Sequence, residues 1–544
     1  MPRKNDLVTL DVTDMTHEGS GVGHLDGMAV FVPASAVGDR LLVRLVKVNK
    51  THCFGKIEQV LTPSPDRVLP DCPVSRRCGG CVFRHVSYEA ELRYKQAFVQ
   101  QNLRRIGGIE LEVEPILPSP RTEGYRNKAQ YPVRMQKGKL AAGFFAPRTH
   151  EVIDCHDCRL QPPGFARILE TVLGYLRDCR VPVYDEAAGG GLLRHVYLRA
   201  GQRSGETMVC LVVNGDRLPH ERELVERLRA CDPRIVSIVL NVNDRPTNVI
   251  LGRETRVLYG KGQISDVLCG VEFDLSPQSF YQVNSPGAER LYGVAADFAA
   301  LTGEETVIDL YCGAGTIGLS LAGRCKEVIG VEVVPQAVEN AVANARRAGI
   351  SNARFFCADA AEAAARLSRE GIRPGVVILD PPRKGCEEAV LESVARMAPG
   401  RVVMVSCNSA TMARDCAVFA RLGYETVRCR PVDMFPRTAH VETVVLLSKG
   451  EIDSKKVRVE FSLEDMDMSG FQKGATYEQI KAYVLEHSGL KVSSLYISQI
   501  KRKCGLDVGQ NYNLSKKEDA KVPQCPPEKE AAITEALKYF GMIK

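Results

Sequence analysis

The fold of this chain is decided by Thr306-Val307-Ile308-Asp309-Leu310-Tyr311-Cys312-Gly313-Ala314-Gly315-Thr316. A strand-type run leads here into a glycine-rich turn, and a helix-type segment follows the turn. The same alternation of strand-type and helix-type segments continues from residue 304 to 448. Such alternation is typical of a parallel sheet that helices cover on both faces. We therefore predict an α/β domain with a doubly wound, Rossmann-like sheet over residues 281–450.

The rest of the chain predicts three further domains, because 544 residues are too many for one hydrophobic core. Residues 1–65 contain short strand-type runs and glycine turns, which favour a β-barrel of the oligonucleotide-binding type. Residues 66–280 combine a cysteine cluster with mixed helices and strands, so we expect an α+β central domain. Residues 451–544 are predicted to form a small helical module that resembles a helix-turn-helix.

The composition excludes several classes of protein. It is 44% hydrophobic and 25% charged, with a net charge of +6 and a pI of about 8.4. This mild basic excess permits a polyanionic partner without requiring one. Nineteen cysteines in a chain this long do not form a small secreted disulfide scaffold. We find neither a signal peptide nor an apolar run that could span a membrane. We expect a cytoplasmic protein with reduced thiols and no membrane contact.

The glycine-rich turn predicts a nucleoside cofactor. Gly313 and Gly315 let the backbone approach a ligand closely. Glu332 ends the next strand-type run, where an acid can bind ribose hydroxyls, and Asp359 ends the third run, near the position of a base. Gly318 completes a G-x-G-x-x-G spacing, which nicotinamide enzymes share. The spacing alone therefore leaves S-adenosylmethionine, a nicotinamide or a purely structural turn open.

Two acidic positions favour S-adenosylmethionine over a nicotinamide. Asp309 precedes the glycines, and Asp380-Pro381-Pro382 follows the fourth strand-type run. Carboxylates at these places suit a ligand that carries an amine and no pyrophosphate. We therefore expect S-adenosylmethionine.

An acid, a thiol and a second acid follow or interrupt neighbouring strand-type runs. Their motifs are Asp380-Pro381-Pro382-Arg383, Val405-Ser406-Cys407-Asn408 and His440-Val441-Glu442-Thr443. The carboxyl edge of an α/β sheet is where ligands bind, so the three motifs can meet there. Cys407 is a candidate nucleophile, although a buried apolar role is the common alternative. Glu442 is a candidate base with a raised pKa, or else a partner of Arg437 in a salt bridge.

This set of groups suits chemistry at C5 of uracil, which is a poor nucleophile by itself. A thiolate that adds to C6 makes C5 nucleophilic, so that C5 can take a methyl group. A base must then remove the C5 proton before the thiol can leave.

A second group of thiols predicts a metal centre. Cys72, Cys78 and Cys81 lie in one short loop, and Cys155 or Cys158 could supply a fourth ligand. Zinc and a [4Fe–4S] cluster both accept four cysteines, so the spacing does not decide between them. Free thiols are the remaining alternative. The C-x5-C-x2-C spacing differs from the C-x3-C-x2-C of radical-adenosylmethionine enzymes.

Together these motifs resemble the RNA uracil-C5 methyltransferases, specifically the bacterial 23S ribosomal RNA (uracil-5-)-methyltransferases with an iron–sulfur cluster. The resemblance covers about residues 5–450. It implies a class I methyltransferase domain and a TRAM barrel that binds RNA. It also implies that residues 91–122 pack on the catalytic domain. Cys407 matches the nucleophile of the family and Glu442 its base.

The resemblance also assigns the ligand-binding residues. Cys158-Arg159-Leu160-Gln161 matches a C-x-[IVL]-Q motif, which makes Cys158 the fourth cluster ligand and leaves Cys155 free. The implied [4Fe–4S] ligands are Cys72, Cys78, Cys81 and Cys158. Ser279–Asn284 matches an F-x-Q-x-N motif that contributes to the cofactor and target pockets. The implied cofactor contacts are Gln282, Tyr311, Gly313, Glu332, Asp359 and Asp380. Phe280 and Asp380 are implied to contact the uracil, and Thr316 stands where some relatives have Asn.

The implied function is methylation of C5 of a specific uridine in 23S ribosomal RNA by a monomeric enzyme. The family also contains enzymes that act on the T-loop uridine of tRNA, but the bacterial tRNA type lacks the barrel and the cluster. Cations beside an aromatic in Tyr125-Arg126-Asn127-Lys128 are typical of an RNA surface. A non-catalytic RNA-binding assembly factor and an exocyclic-amine methyltransferase are the alternatives. The tail is expected to contact RNA.

Overall fold

The computed structural model of the protein describes residues 2–449, 477–504, 506, 525–540 and 542–543. The chain forms two compact units, Met1–Ile452 and Asp453–Lys544. Within the described part of the chain, no helix is both long and apolar enough to cross a membrane.

The N-terminal domain is a curled, six-stranded sheet. Its strands are β1 (Leu7–Asp11), β2 (Asp14–Met15), β3 (Ser20–Leu25), β4 (Met28–Pro33), β5 (Arg40–Val48) and β6 (His52–Thr62). They lie in the order β1-β5-β6-β4-β3-β2. Val12 N–H donates to Asp39 near the start of β5, and Thr13 N–H donates to Val22 on β3. Val12 and Thr13 therefore connect the β1-β5 side of the sheet to its β3-β2 side, which closes the sheet as a barrel requires. The predicted N-terminal β domain is confirmed.

The next segment joins the cysteine loop to the catalytic domain. It contains the short helix α1 (Ser75–Cys78) and the long helix α2 (Tyr88–Arg105). Ser87 begins α2, because its hydroxyl accepts from the Ala90 N–H at 3.2 Å. Val99 and Leu103 of α2 belong to the same hydrophobic core as Ile308 of the catalytic sheet. This helix therefore packs with the catalytic domain.

The central region is built on a seven-stranded sheet with two helices against it. The strands are β7 (Lys128–Gln136), β8 (Lys139–Phe145), β9 (Val152–Asp154), β10 (Leu193–Ala200), β11 (Thr207–Val213), β12 (Ile235–Val242) and β13 (Glu254–Gly260). Their order is β13-β12-β11-β10-β7-β8-β9. Helices α3 (Gly164–Asp178) and α4 (Glu221–Cys231) pack on it, and β14 (Ile264–Leu268) pairs with β15 (Val271–Leu275).

The catalytic domain is a second seven-stranded sheet between layers of helices. Its strands are β16 (Thr306–Leu310), β17 (Glu327–Glu332), β18 (Ala353–Cys357), β19 (Val376–Leu379), β20 (Arg401–Ser406), β21 (Tyr424–Val432) and β22 (Glu442–Lys449). The helical segments are α5 (Ser285–Ala299), α6 (Thr316–Leu321), a 3-10 turn (Ala322–Arg324), α7 (Pro335–Arg347), α8 (Ala360–Arg369), α9 (Glu388–Met397) and α10 (Ser409–Arg421).

The order of this sheet is β18-β17-β16-β19-β20-β22-β21. The first five strands are parallel, and β22 lies antiparallel between β20 and β21. Val307 enters one hydrophobic core and Ile308 the other, because successive side chains point to opposite faces of a strand. The predicted doubly wound α/β sheet is confirmed.

The C-terminal unit contains three helices among its described residues: α11 (Tyr477–Ser488), α12 (Ser494–Lys503) and α13 (Pro527–Tyr539). Ser493 caps α12 by accepting from the Tyr496 N–H at 3.3 Å. Ile480, Ile497 and Ile533 form the centre of its own core. The described residues of the predicted tail are largely helical, whereas residues 451–476, 505, 507–524, 541 and 544 of that prediction lie outside the described residues.

Candidate active site

A cavity of about 1330 Å³ lies at the carboxyl edge of the catalytic sheet. It is lined by every residue that the family resemblance assigned to cofactor, substrate and catalysis. These are Phe280, Gln282, Tyr311, Gly313, Glu332, Asp359, Asp380, Cys407 and Glu442. Residues from the ends of six strands and from the segment before α5 thus meet in one place.

The strand register explains this meeting. Leu379 is the register partner of both Leu310 and Met404 in the parallel part of the sheet. Tyr311 and Asp380, which directly follow two of these strands, therefore leave the sheet at one level. On the antiparallel side, Ser406 pairs with Thr443, so Cys407 and Glu442 lie next to each other across the two strands.

The glycine loop is fixed by Glu332. One carboxylate oxygen of Glu332 accepts from the Gly313 N–H at 3.1 Å, and the other accepts from the Val334 N–H at 2.9 Å. Gly313 has a φ of 55°, and a β-carbon built on it would meet no atom within 4 Å. The loop is therefore held open towards the cavity, with free space beside its backbone.

Asp309 does not line the cavity. It is buried, and its carboxylate accepts from the Gly318 N–H at 2.8 Å. Burial raises its pKa to about 7. Asp309 therefore supports the start of α6 and the glycine loop above it. Thr316 is also turned away, because its hydroxyl bonds with the Tyr292 hydroxyl at 3.2 Å.

Three strongly exposed apolar side chains line the cavity. The exposed fraction is 70% for Phe280, 61% for Val333 and 50% for Val334. Exposed apolar surface in a concave site is what a planar or apolar ligand group would cover. Sequence reasoning missed Val333 and Val334, although their position directly after Glu332 could have indicated them.

Gln282 is held from the central region. The Asn127 side chain donates to the Gln282 carbonyl at 3.0 Å, and the Asn127 N–H donates to the Val283 carbonyl at 2.8 Å. The neighbours of Asn127, Arg126 and Lys128, line the cavity with their cationic side chains. The predicted RNA-type segment is therefore part of the cavity wall.

Asp359 has a structural role at the start of a helix. Its carboxylate accepts from the Ala361 N–H at 2.8 Å and so begins helix α8. Asn408 acts in the same way on α10, where its side chain accepts from the Ala410 N–H at 3.1 Å. Both residues fix the direction of a helix that starts at the cavity.

Cys407 and Glu442 share one electrostatic environment. Burial and the neighbouring charge of Asp380 raise the pKa of Glu442 to about 8, while Arg383 acts to lower it. Burial and the charge of Glu442 raise the pKa of the Cys407 thiol, and Arg383 again opposes the rise. Burial raises the pKa of Asp380 to about 7. The site thus holds two carboxyl groups that can exchange protons near neutral pH, beside a thiol whose pKa is raised.

The predicted alternative roles of these two residues do not fit the structure. Glu442 is buried, but Arg437 pairs with Glu91 at 3.7 Å. Cys407 is only half-buried and faces the cavity.

Arg383 is a further residue of this site whose role sequence reasoning missed. The Asn408 side chain donates to the Arg383 carbonyl at 3.1 Å, which fixes the Asp-Pro-Pro-Arg turn. The Arg383 guanidinium lies 3.5 Å from the ring of His440. Burial and this cation lower the pKa of His440 to about 4, so the imidazole is neutral at pH 7. The feature of the sequence that could have indicated this role is the position of Arg383 directly after Pro381 and Pro382.

The predicted metal ligands lie on two adjoining loops away from this cavity. Pro73 and Val74, which follow Cys72, share a small surface pocket with residues 154–157. Burial and the neighbouring thiols raise the pKa of Cys158 to about 11. Cys72, Cys78, Cys81 and Cys158 are all partly exposed free thiols. No group of three or more His, Cys, Asp or Glu residues in the described ranges is arranged to hold a metal ion.

Family models match most of the chain. The model described as tRNA (Uracil-5-)-methyltransferase matches residues 87–450, and the model of the TRAM domain matches residues 4–57.

Individual proteins that are similar to this chain are also named as RNA methyltransferases. An uncharacterized RNA methyltransferase of Halalkalibacterium halodurans is 46% identical over 445 residues, which are 82% of this chain and 97% of the relative. One from Clostridium tetani is 41% identical over 446 residues, again 82% of this chain and 97% of the relative.

The solved structure of the Pyrococcus abyssi tRNA (uracil-54, C5)-methyltransferase in complex with S-adenosyl-L-homocysteine is 29% identical. Its TM-score is 0.66, and the match covers 81% of this chain and 100% of that chain. The chain thus belongs to the tRNA (uracil-5-)-methyltransferase family of RNA methyltransferases, with an S-adenosylmethionine-dependent methyltransferase fold and an N-terminal TRAM domain.

Proposed function

We propose that this enzyme transfers a methyl group from S-adenosylmethionine to C5 of a specific uridine in 23S ribosomal RNA. The observation that carries the proposal is that a thiol and a buried carboxyl, Cys407 and Glu442, face one cavity beside a nucleoside-type glycine loop. An exocyclic-amine methyltransferase needs no thiol. A non-catalytic assembly factor needs neither group.

The cavity fits the cofactor in its chemistry. Glu332 suits ribose hydroxyls, the exposed Val333 and Val334 suit an adenine face, and the open Gly313 backbone permits close approach. The residues that would hold the cofactor are Gln282, Tyr311, Gly313, Glu332, Asp359 and Asp380. S-adenosylmethionine supplies the electrophilic methyl group when bound.

Cys407 begins the reaction as a thiolate. Its sulfur forms a bond to C6 of uracil, and the electron pair of the C5=C6 bond makes C5 nucleophilic. Arg383 favours the thiolate, because its charge opposes the effects that raise the pKa of Cys407. The exposed ring of Phe280 suits stacking on the target base, and Asp380 suits a hydrogen bond to its edge.

Glu442 completes the reaction as the base. It takes the proton from C5 after C5 has gained the methyl group. The electron pair of the C5–H bond then restores the C5=C6 bond, and the Cys407 sulfur leaves as a thiolate. His440 is a much weaker base, since its pKa lies near 4 whereas that of Glu442 lies near 8.

The proposed RNA substrate rests on the combination of a TRAM domain with the cysteine loops, which resembles the ribosomal RNA enzymes. A uridine of tRNA is the second candidate, because the structural match is to an enzyme named for uracil-54 of tRNA. In either case we propose a monomer that acts in the cytoplasm. The cationic wall of Arg126 and Lys128 supports RNA as the partner.

We further propose four domains, at residues 1–65, 66–280, 281–450 and 451–544. Helix α2 supports the part of this division in which residues 91–122 pack on the catalytic domain. The role of the last domain is proposed to be RNA contact.

The four cysteines Cys72, Cys78, Cys81 and Cys158 are proposed to hold a [4Fe–4S] cluster. Their fit rests on the donor set, since four free thiols on two adjoining loops are what such a cluster binds. The cluster would tie the two loops together. Cys155 is more deeply buried and is proposed to stay free.

Release of tritium tests the function and the substrate together. We expect the enzyme to release tritium from 5-tritiated uridine in 23S ribosomal RNA when S-adenosylmethionine is present, because C5 must lose its hydrogen. The control is tRNA labelled in the same way. Release from tRNA alone would assign the tRNA uridine instead, and release from neither RNA would refute C5 methylation.

Substitution of the two reacting groups should stop the reaction at different stages. Cys407→Ala should bind cofactor and RNA yet form no covalent complex. Glu442→Gln should form a methylated RNA–protein adduct that persists in denaturing electrophoresis, because elimination lacks its base. His440→Ala is the control and should turn over. Adduct accumulation in His440→Ala, or normal turnover by Glu442→Gln, would show that the base is misassigned.

The rate of adduct breakdown should rise with pH. Glu442 acts only when ionised, so the rate should fall about tenfold per pH unit below its pKa near 8 and level off above it. Arg383→Gln should move this profile to higher pH, since the cation lowers the pKa of Glu442. Arg373→Gln, an exposed arginine before β19, is the matched control. A pH-independent rate in the wild type would argue against Glu442.

Iron content tests the proposed cluster. Protein purified without air should carry about four irons per chain. Cys158→Ser should lose the iron, whereas the neighbouring control Cys155→Ser should keep it. Stoichiometric zinc in an anaerobic preparation would contradict the cluster, and the opposite result for the two variants would make Cys155 the fourth ligand.

A further inference from the structure

The segment between β21 and β22, residues 433–441, shapes the catalytic end of the cavity. Phe435 and His440 line the cavity, and Glu442 directly follows the segment. We call it the base loop. The base loop leads directly into Glu442, so the contacts that hold the loop act on the Glu442 carboxyl within the limits that the register of β22 sets.

A buried ion network from helix α2 holds the start of the base loop. The Lys95 ammonium donates to Glu91 at 2.7 Å and to Asp433 at 2.8 Å. It also donates to the Phe435 carbonyl at 3.2 Å. The three charged side chains are at most 2% exposed. Water does not compete with these bonds, which therefore constrain the backbone of the loop strongly.

Further buried donors from outside the catalytic sheet reach successive loop residues. The Tyr88 hydroxyl donates to Asp433 at 2.7 Å. The Asn284 side chain donates to the Met434 carbonyl at 2.8 Å, and the Tyr125 hydroxyl donates to the Pro436 carbonyl at 2.9 Å. The base loop is thus held by partners on α2, at the start of α5 and in the central region.

Arg437 joins the base loop to the cysteine loop. Its carbonyl accepts from the N–H groups of Val82 and Phe83 at 2.8 and 3.1 Å, directly after Cys81. Its own N–H donates to Glu91 at 2.7 Å. Arg437 has a φ of 69°, a left-handed conformation that a residue with a side chain rarely adopts without support. These bonds supply that support.

We propose that Glu91 and Lys95 are positioning residues for proton removal, and that with Arg437 they connect the cysteine loop to the base loop. This inference rests on the proposed role of Glu442. Neither residue lines the cavity or touches the reacting atoms. They act on the second half of the reaction, because the base loop leads into Glu442, whereas Cys407 lies in the turn between β20 and α10.

Lys95→Met and Glu91→Gln test the inference in the full-length protein. A misplaced base should slow tritium release by about 100-fold. Adduct formation should change less than threefold, so that adduct accumulates as in Glu442→Gln. A merely structural role would slow both steps equally. If Lys95→Met does not fold, Glu91→Gln still tests the inference, because it keeps the size of the side chain and removes only the charge that pairs with Lys95.

Asp232→Asn is the matched control. Asp232 is a buried carboxylate whose side chain is 1% exposed, and it pairs with Arg167 and Arg234 at the central sheet. Its loss should lower stability without changing the ratio of adduct formation to tritium release. Adduct accumulation in Asp232→Asn, or an unchanged ratio in Glu91→Gln, would overturn the inference.

Amide hydrogen exchange supplies a readout that is independent of the reaction. In folded Glu91→Gln, exchange should increase in residues 433–441 and also at Val82 and Phe83, while β18 at the far edge should be unchanged. Unchanged exchange in residues 433–441 would refute the connection even if the chemistry is as proposed. Failure of Glu442→Gln to trap an adduct would instead refute the proposed function and leave the exchange result standing.

Discussion

The pairing of β20 with β22 is the constraint on which the site depends. Cys407 and Glu442 lie 35 residues apart in the chain, yet the pairing of Ser406 with Thr443 brings them to adjacent strand ends. A slip by one residue would turn Glu442 to the other face of the sheet. The antiparallel pairing of β22 therefore places Glu442 at the carboxyl edge of the sheet. The parallel pairings place Tyr311 and Asp380 at the same edge.

The meeting of these residues at one edge of the sheet also explains their raised pKa values. Asp380, Cys407 and Glu442 lie close together at this edge, where burial disfavours three nearby negative charges. Burial raises the pKa of Asp380 to about 7 and that of Glu442 to about 8. Arg383 opposes the rise at Cys407 and Glu442. The two carboxyl groups therefore change protonation near neutral pH, and the Arg383 cation favours the ionised forms of Cys407 and Glu442.

Much of what holds this site comes from outside the catalytic sheet. Lys95 on α2 bonds to Glu91 and Asp433 in a region closed to water. Removing one partner of such a buried pair typically costs about 3–5 kcal/mol, because the other charge is left unpaired. Asn127 and Tyr125 of the central region hold the Gln282 segment and the base loop in a similar way, with neutral donors. The central region thus contributes to the geometry of the cavity as well as to its cationic wall of Arg126 and Lys128.

The sequence by itself determined the doubly wound sheet, the N-terminal β domain and the candidate residues, because periodicity and motif order are local properties of the chain. It placed Asp309 near the ligand, whereas the fold buries it against the Gly318 N–H. It did not reveal the roles of Val333, Val334 and Arg383, or the bonds that tie Lys95 to Asp433 across 338 residues. Such contacts depend on how distant segments pack and on where charges are desolvated. Only the tertiary structure decides those properties.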